Sequence, residues 1–264
     1  MLRAALLCLA LVAVAAQAQD AGALRARHAA LQKQLADNPF GRALHVESTA
    51  AGGRHKGEIN AVIDQPYRAV AATLSRSAHW CDVLVLQVNV KRCSSTDDAL
   101  TALISRKPRQ RAEDAYRVDF RYRLAANRAD YLHVALNAAE GPMGTRDYEI
   151  RLEAAPLDAK RTFLRMSYTY TLGTMARLAM DAYLAGPGRD KRGFTVEGGE
   201  RGVIERGAMR YYLAVEAYLE SKDLETRLRH WYSAVTRYPQ LREPVTLDEY
   251  VEMKRREAPQ LIAR

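Results

Sequence analysis

The sequence predicts an α+β protein: a curved antiparallel sheet of about six or seven strands gripping a long C-terminal helix, with extra helices after it. Three observations predict it. Four consecutive segments between Tyr116 and Leu172 alternate apolar and polar residues with period 2. Short turn signals separate them, among them Gly141-Pro142 and Pro156-Leu157-Asp158. After Gly173 the period changes from 2 to about 3.6. Strands that alternate in this way carry one buried and one solvated face, as in an antiparallel meander.

The elements follow in order. Arg3, an uncharged run from Ala4 to Ala16, and the small-residue site Ala16-Gln17-Ala18 form the pattern of a secretory signal peptide cleaved after Ala18. An uncleaved anchor is the competing reading, although the run is short for a span of about 20 residues. Export predicts a periplasmic or secreted protein. Leu24, Leu31 and Leu35 share one face of a helix that ends at Asn38-Pro39, so residues 19–42 form an N-terminal helical segment. Ala43–Thr49 and Arg54–Asp64 are strands joined across Gly52-Gly53, and Pro66 opens a helix carrying Val70 and Leu74.

Cys81 and Cys93 are the two cysteines left after cleavage, and in an exported chain they favour one disulfide. The bond needs Cα atoms about 4.4–6.8 Å apart, which one extended strand between them cannot provide. The β-branched run Asp82–Val90 argues for strand, whereas the cysteines argue for a helix to about Gln87 and a reversal near Asn89. The second reading is preferred.

Ala99–Arg106 adds a strand before the meander. Beyond it, Thr174 is placed as the N-cap of a helix that stops at Gly186-Pro187, and residues 187–199 form a Gly-rich connector or lid. Ile204, Ala208, Tyr211, Val215 and Tyr218 mark one stripe of a long helix over Glu200–Leu219. Leu224, Leu228, Trp231, Val235 and Tyr238 mark another helix, and Thr246 with Glu249 forms a capping box for a last one.

A helix stripe facing a sheet must be buried against it. Here both surfaces are rich in phenols: Tyr116, Tyr122, Tyr148, Tyr168, Tyr170, Tyr211 and Tyr218 all point inward by alternation. Leaving a buried hydroxyl unpaired costs about 1–3 kcal/mol, so a dry core holding all of them is hard to satisfy. A partly hydrated cavity between sheet and helix relieves this and suits a hydrophobic ligand. The alternative places the hydroxyls in water at the sheet edges.

The strand Gly57–Ile63, the Asp64-Gln-Pro66 helix start, Trp80, the meander and the long helix occur in an order that resembles the START-like (SRPBCC, helix-grip) superfamily. Gly144-Thr-Arg-Asp-Tyr148 is similar to its Arg-Asp-aromatic strand opening, and the resemblance covers about residues 43–220. It divides the chain into a helix-grip domain over 43–222 and a C-terminal helical extension over 223–264. It implies a hydrophobic-ligand pocket under the long helix, in a fold that hosts carriers and enzymes alike. The helix at 175–185, the Gly-rich loop and the extension depart from the family pattern.

The candidate ligand-binding residues are Tyr116, Phe120, Tyr122, Tyr148, Met166, Tyr168, Tyr170 and Tyr211. Arg146, on the inward face of Tyr148 by alternation, would hold a polar head group, unless it sits in solvent at the start of its strand. No catalytic residue is assigned, since the inward faces supply no clear acid–base pair. A cyclase- or hydrolase-type enzyme in the same pocket is one alternative, and an envelope interaction protein docking through its C-terminal helices is another.

No cofactor is expected, and no metal, because His28, His45, His55, His79, His133 and His230 have no ligand spacing. The chain carries 40 Lys+Arg against 31 Asp+Glu. Its basic residues at 105–128 read as a solvated face or as a contact for anionic lipid head groups. Nucleic acid is set aside for want of a motif, and the protein reads as a monomer that binds a lipid or other hydrophobic small molecule.

Overall fold

The computed structural model of the chain describes residues 21–263. The signal segment 1–18 lies outside the described residues. Helix α1 (21–30) leads through a turn at Leu31 into α2 (Gln32–Ala36). The hairpin β1 (Leu44–Ala51) and β2 (Arg54–Ile63) follows. Its turn is made by Gly52 and Gly53, whose φ of +58° and +82° match the hand that a two-residue hairpin needs.

Helices α3 (Tyr67–Leu74) and α4 (Ser77–Leu84) cross to the far side of the sheet, where β3 (Val90–Ser95) and β4 (Ala99–Ile104) begin. The meander is β5 (Tyr116–Asn127), β6 (Leu132–Glu140), β7 (Thr145–Pro156) and β8 (Thr162–Leu172). Then come α5 (Thr174–Ala185), α6 (Gly199–Glu220), α7 (Leu224–Thr236), α8 (Leu247–Leu261) and the two-residue β9 (Ile262–Ala263).

The strand order is β1-β2-β8-β7-β6-β5-β4-β3-β9. Eight strands pair antiparallel and β9 joins β3 in parallel, so the described sheet is wider than the six or seven strands expected. The strands missed are β3 and the two-residue β9. The expected helix does precede β3, ending at Leu84, but after the reversal the chain extends again from Val90. The Cys81–Cys93 disulfide ties the two together with Cα atoms 5.3 Å apart. At the start of α5, Gly173 occupies the cap position and Thr174 is the first helical residue. The Thr246–Glu249 capping box forms as expected, with Thr246 N–H donating to the Glu249 carboxylate at 2.9 Å.

The concave face of the sheet wraps α6. Gly57 on β2 makes this contact close: a Cβ there would lie 2.8 Å from both the Ile204 carbonyl and the Ala208 Cβ. Ile59, Leu152 and Met166 from the sheet and Met209, Leu213 and Val215 from α6 fill one continuous core. Leu228, Trp231, Tyr250 and Val251 of α7 and α8 belong to that same core.

The convex face is not wholly solvated. Leu24, Leu31 and Leu35 pack on Tyr131, Ala155 and Phe163 there, forming a second cluster. Helix α5 is held more lightly: Ala176 is its fully buried residue, while Met175 and Leu178 are 69% and 66% exposed. Among the described residues no helix is long and apolar enough to cross a membrane.

A tyrosine-floored cavity beside the gripping helix

Period-2 alternation sends Tyr168 and Tyr170 of β8 to the concave face, opposite Gly57 and His55 of β2. Tyr148 joins them from β7, with its ring 6.0 Å from Tyr168 and 5.6 Å from Tyr170. The three rings form the floor of a cavity of about 780 Å³. Its roof is α5, through Ala176, Ala179 and Met180, and its far wall is α6, through Val203, Arg206 and Gly207. Gly207 lets the helix lie against Tyr168, since a Cβ there would sit 3.1 Å from the ring. The volume falls within the range of ligand pockets.

The hydroxyls on this floor are neutral. Burial raises the pKa of Tyr148, Tyr168, Tyr170 and Tyr211, and neighbouring phenols raise Tyr168 and Tyr170 further. They act as donors and acceptors rather than as phenolates. Thr145 Oγ1 donates to the Pro142 carbonyl at 2.6 Å, which leaves it to accept from Tyr148 Oη at 2.7 Å. His55 stacks on Tyr170 at 5.2 Å and bridges the Gly53 carbonyl and the Glu200 carboxylate at 3.1 and 2.7 Å.

The structure brings together part of the residue set expected from sequence. Tyr148, Tyr168 and Tyr170 line the cavity. Tyr211 packs against Tyr168 at 4.9 Å, behind the wall. Phe120, Tyr122 and Met166 are 3%, 7% and 1% exposed and fill the core farther along the sheet. Tyr116, half-buried at the start of β5, is also away from the cavity.

Arg146 is corrected. It does not share the inward face of Tyr148; its side chain is 61% exposed, with Asp147 at 3.9 Å. A β-bulge is the reason. The register steps from Arg146 opposite Thr171 to Glu149 opposite Thr169, so Asp147 and Tyr148 together face the single Tyr170. Asp147 takes φ 53°, and the alternation used to place Arg146 breaks there.

The cations at the cavity are others: Arg206 and Arg210 of α6, Lys191 of the connector, and Arg106. Sequence reading passed over them because an Arg on a helix normally faces solvent. The available signal was their spacing. Arg206 and Arg210 are four apart on the flank of the stripe marked by Ile204, Ala208 and Tyr211, so they share one helix face. Among the described residues lining the cavity there is no Asp, Glu or His.

No family model matches the chain, and no curated protein matches it. Solved structures with a similar arrangement include a conserved protein from Geobacillus kaustophilus (11% identity, TM-score 0.39, covering 62% of this chain and 95% of that one). A START superfamily protein from Mycobacterium smegmatis is similar at 13% identity and TM-score 0.35, over 50% of this chain and 87% of that one. Truncated norcoclaurine synthase from Thalictrum flavum is similar at 12% and 0.36, over 54% and 89%. Likeness at this level adds nothing to what the geometry of the site supports.

Proposed function

We propose that this chain is an exported, non-enzymatic binding protein that holds a hydrophobic small molecule, such as a lipid, in the tyrosine-floored cavity. The observation that carries the reading is the cavity itself: about 780 Å³ walled by aromatic and aliphatic side chains beside a helix held close by two glycines. A solid interior would leave a carrier nowhere to put its ligand. Affinity would come from apolar burial, at about 25 cal/mol per Å², less the cost of immobilising the ligand. Export is supported by the N-terminal segment and by the Cys81–Cys93 disulfide, a bond that persists in oxidising compartments.

Native mass spectrometry of the exported protein, with a titration of the uncharged dye Nile red, tests the proposal. The expected result is a co-purifying apolar ligand, or saturable dye binding that Ala179→Trp reduces by crowding the roof. Protein that carries nothing and binds no dye would end the carrier reading.

A further inference from the structure

The cavity wall contains a cation that no carboxylate among the described residues touches, Glu205 supporting its charge only from farther off. Arg206 is 4% exposed. Its Nη1 donates to the carbonyls of Arg192 and Lys191 at 2.8 and 3.2 Å, and its Nη2 approaches Tyr183 Oη at 3.4 Å. Among the described residues no carboxylate forms an ion pair with it. Arg210, one turn on, differs: its Nε donates to Glu243 at 2.7 Å, so its charge is met. Lys191, exposed at the cavity rim, lies over the Tyr183 ring at 6.0 Å and likewise has no ion-pair partner among the described residues.

Burying a guanidinium against carbonyls and one phenol is costly, because these neutral oxygens solvate its charge without neutralising it. Guanidinium groups do not escape by losing a proton. Burial, and to a smaller extent the nearby Arg210, disfavour the charge and outweigh the support it draws from Tyr183 and Glu205. Meanwhile the cavity wall beside Arg206 supplies no Asp or Glu. An anion entering the cavity would therefore supply the direct ion-pair partner that Arg206 lacks, through charge-assisted hydrogen bonds, which are the strong ones.

We infer that the occupant is an anionic amphiphile: its carboxylate or phosphate head pairs with Arg206, seconded by Lys191, and its apolar part lies over Tyr168 and Tyr170. This rests on the cavity being a ligand site. Within that reading it excludes neutral lipids such as sterols and alcohols as the preferred cargo, and it moves the head-group contact from Arg146 to α6.

The test uses the full mature chain with bound Nile red, displaced at pH 8 by sodium dodecanoate, dodecyl phosphate or dodecan-1-ol. We expect each anion to displace the dye at a concentration at least tenfold below that of the alcohol, a difference of about 1.4 kcal/mol. The order of the two anions tells a carboxylate head from a phosphate head. Arg206→Gln should abolish the anion advantage and Arg206→Lys should keep part of it. Because Arg206 also ties down the connector, Lys191→Gln serves as an independent variant and should shrink the advantage several-fold. Dye binding with no preference for the anions would overturn the inference and leave the cavity reading standing. Failure of the dye to bind would overturn the cavity reading and the inference with it.

Discussion

Replacing Glu58 with Gln removes a carboxylate that is 4% exposed and surrounded by cations. Arg165 grips it with both arms, Nε to Oε1 at 2.8 Å and Nη2 to Oε2 at 2.9 Å. Lys56 reaches Oε2 at 2.8 Å and Arg27 reaches Oε1 at 3.5 Å. Burial alone would raise its pKa, but the hydrogen bonds from Arg165 and Lys56 outweigh burial and bring it from 4.5 to about 2. At about 1.4 kcal/mol per pH unit, that difference is worth about 3 kcal/mol of folding stability at pH 7. Because the folded-state pKa is the lower one, the native protein binds fewer protons between pH 4.5 and 2. The stabilisation is complete above 4.5 and is lost as the pH falls towards 2. Urea denaturation of wild type and Glu58→Gln, followed by circular dichroism, should show a gap of about 3 kcal/mol at pH 7 that narrows to roughly half by pH 3. A gap that stays constant over that range would refute the charge-based account and point to packing instead.

Gly57→Ala should cost about 1–3 kcal/mol, because the new methyl group meets the α6 backbone, which cannot yield without moving the helix; an unchanged thermal midpoint would mean that α6 sits farther from β2 than described. Breaking the Cys81–Cys93 bond with Cys81→Ala/Cys93→Ala should lower stability by about 3 kcal/mol, the cost expected for a loop of about 13 residues, and denaturant titration measures it. Tyr122 presents a buried hydroxyl that has no hydrogen-bond partner among the described residues, and burial raises its pKa to about 12. Tyr122→Phe should therefore leave the melting temperature unchanged or raise it; a drop equivalent to about 1 kcal/mol or more would reveal a partner for the phenol.

The meander was legible because its strands obey period 2 over long runs: Leu136, Ile150, Leu152 and Met166 all face the core as alternation requires. The α6 stripe was legible for the corresponding reason at period 3.6, and Ile204, Ala208, Val215 and Tyr218 are all buried. What could not be read turns on single-residue events and non-local contacts. One extra residue at Asp147 moved Arg146 to the surface, and no local pattern marks a bulge there. The strand Val90–Ser95 was hidden because the run before it satisfies helix and strand rules at once. Tyr116, Phe120 and Tyr122 were placed on the correct kind of face, but the position of the void along that face depends on where α5 and the connector lie. The cation on the wall escaped notice because its burial comes from the connector carbonyls of Lys191 and Arg192, which local periodicity does not bring to it.

The light footing of α5 has a mechanical consequence. The disulfide, the close β2–α6 contact and the packing of α7 and α8 all lie elsewhere, so under the proposed carrier reading a ligand could enter past α5 without disturbing any of them. Segments with few apolar contacts detach for a small fraction of the free energy needed to unfold the whole. The twelve residues of α5 bury Ala176 and partly bury Met180, and the methionine and leucine they already show to water would need no further unpacking if the segment swung away.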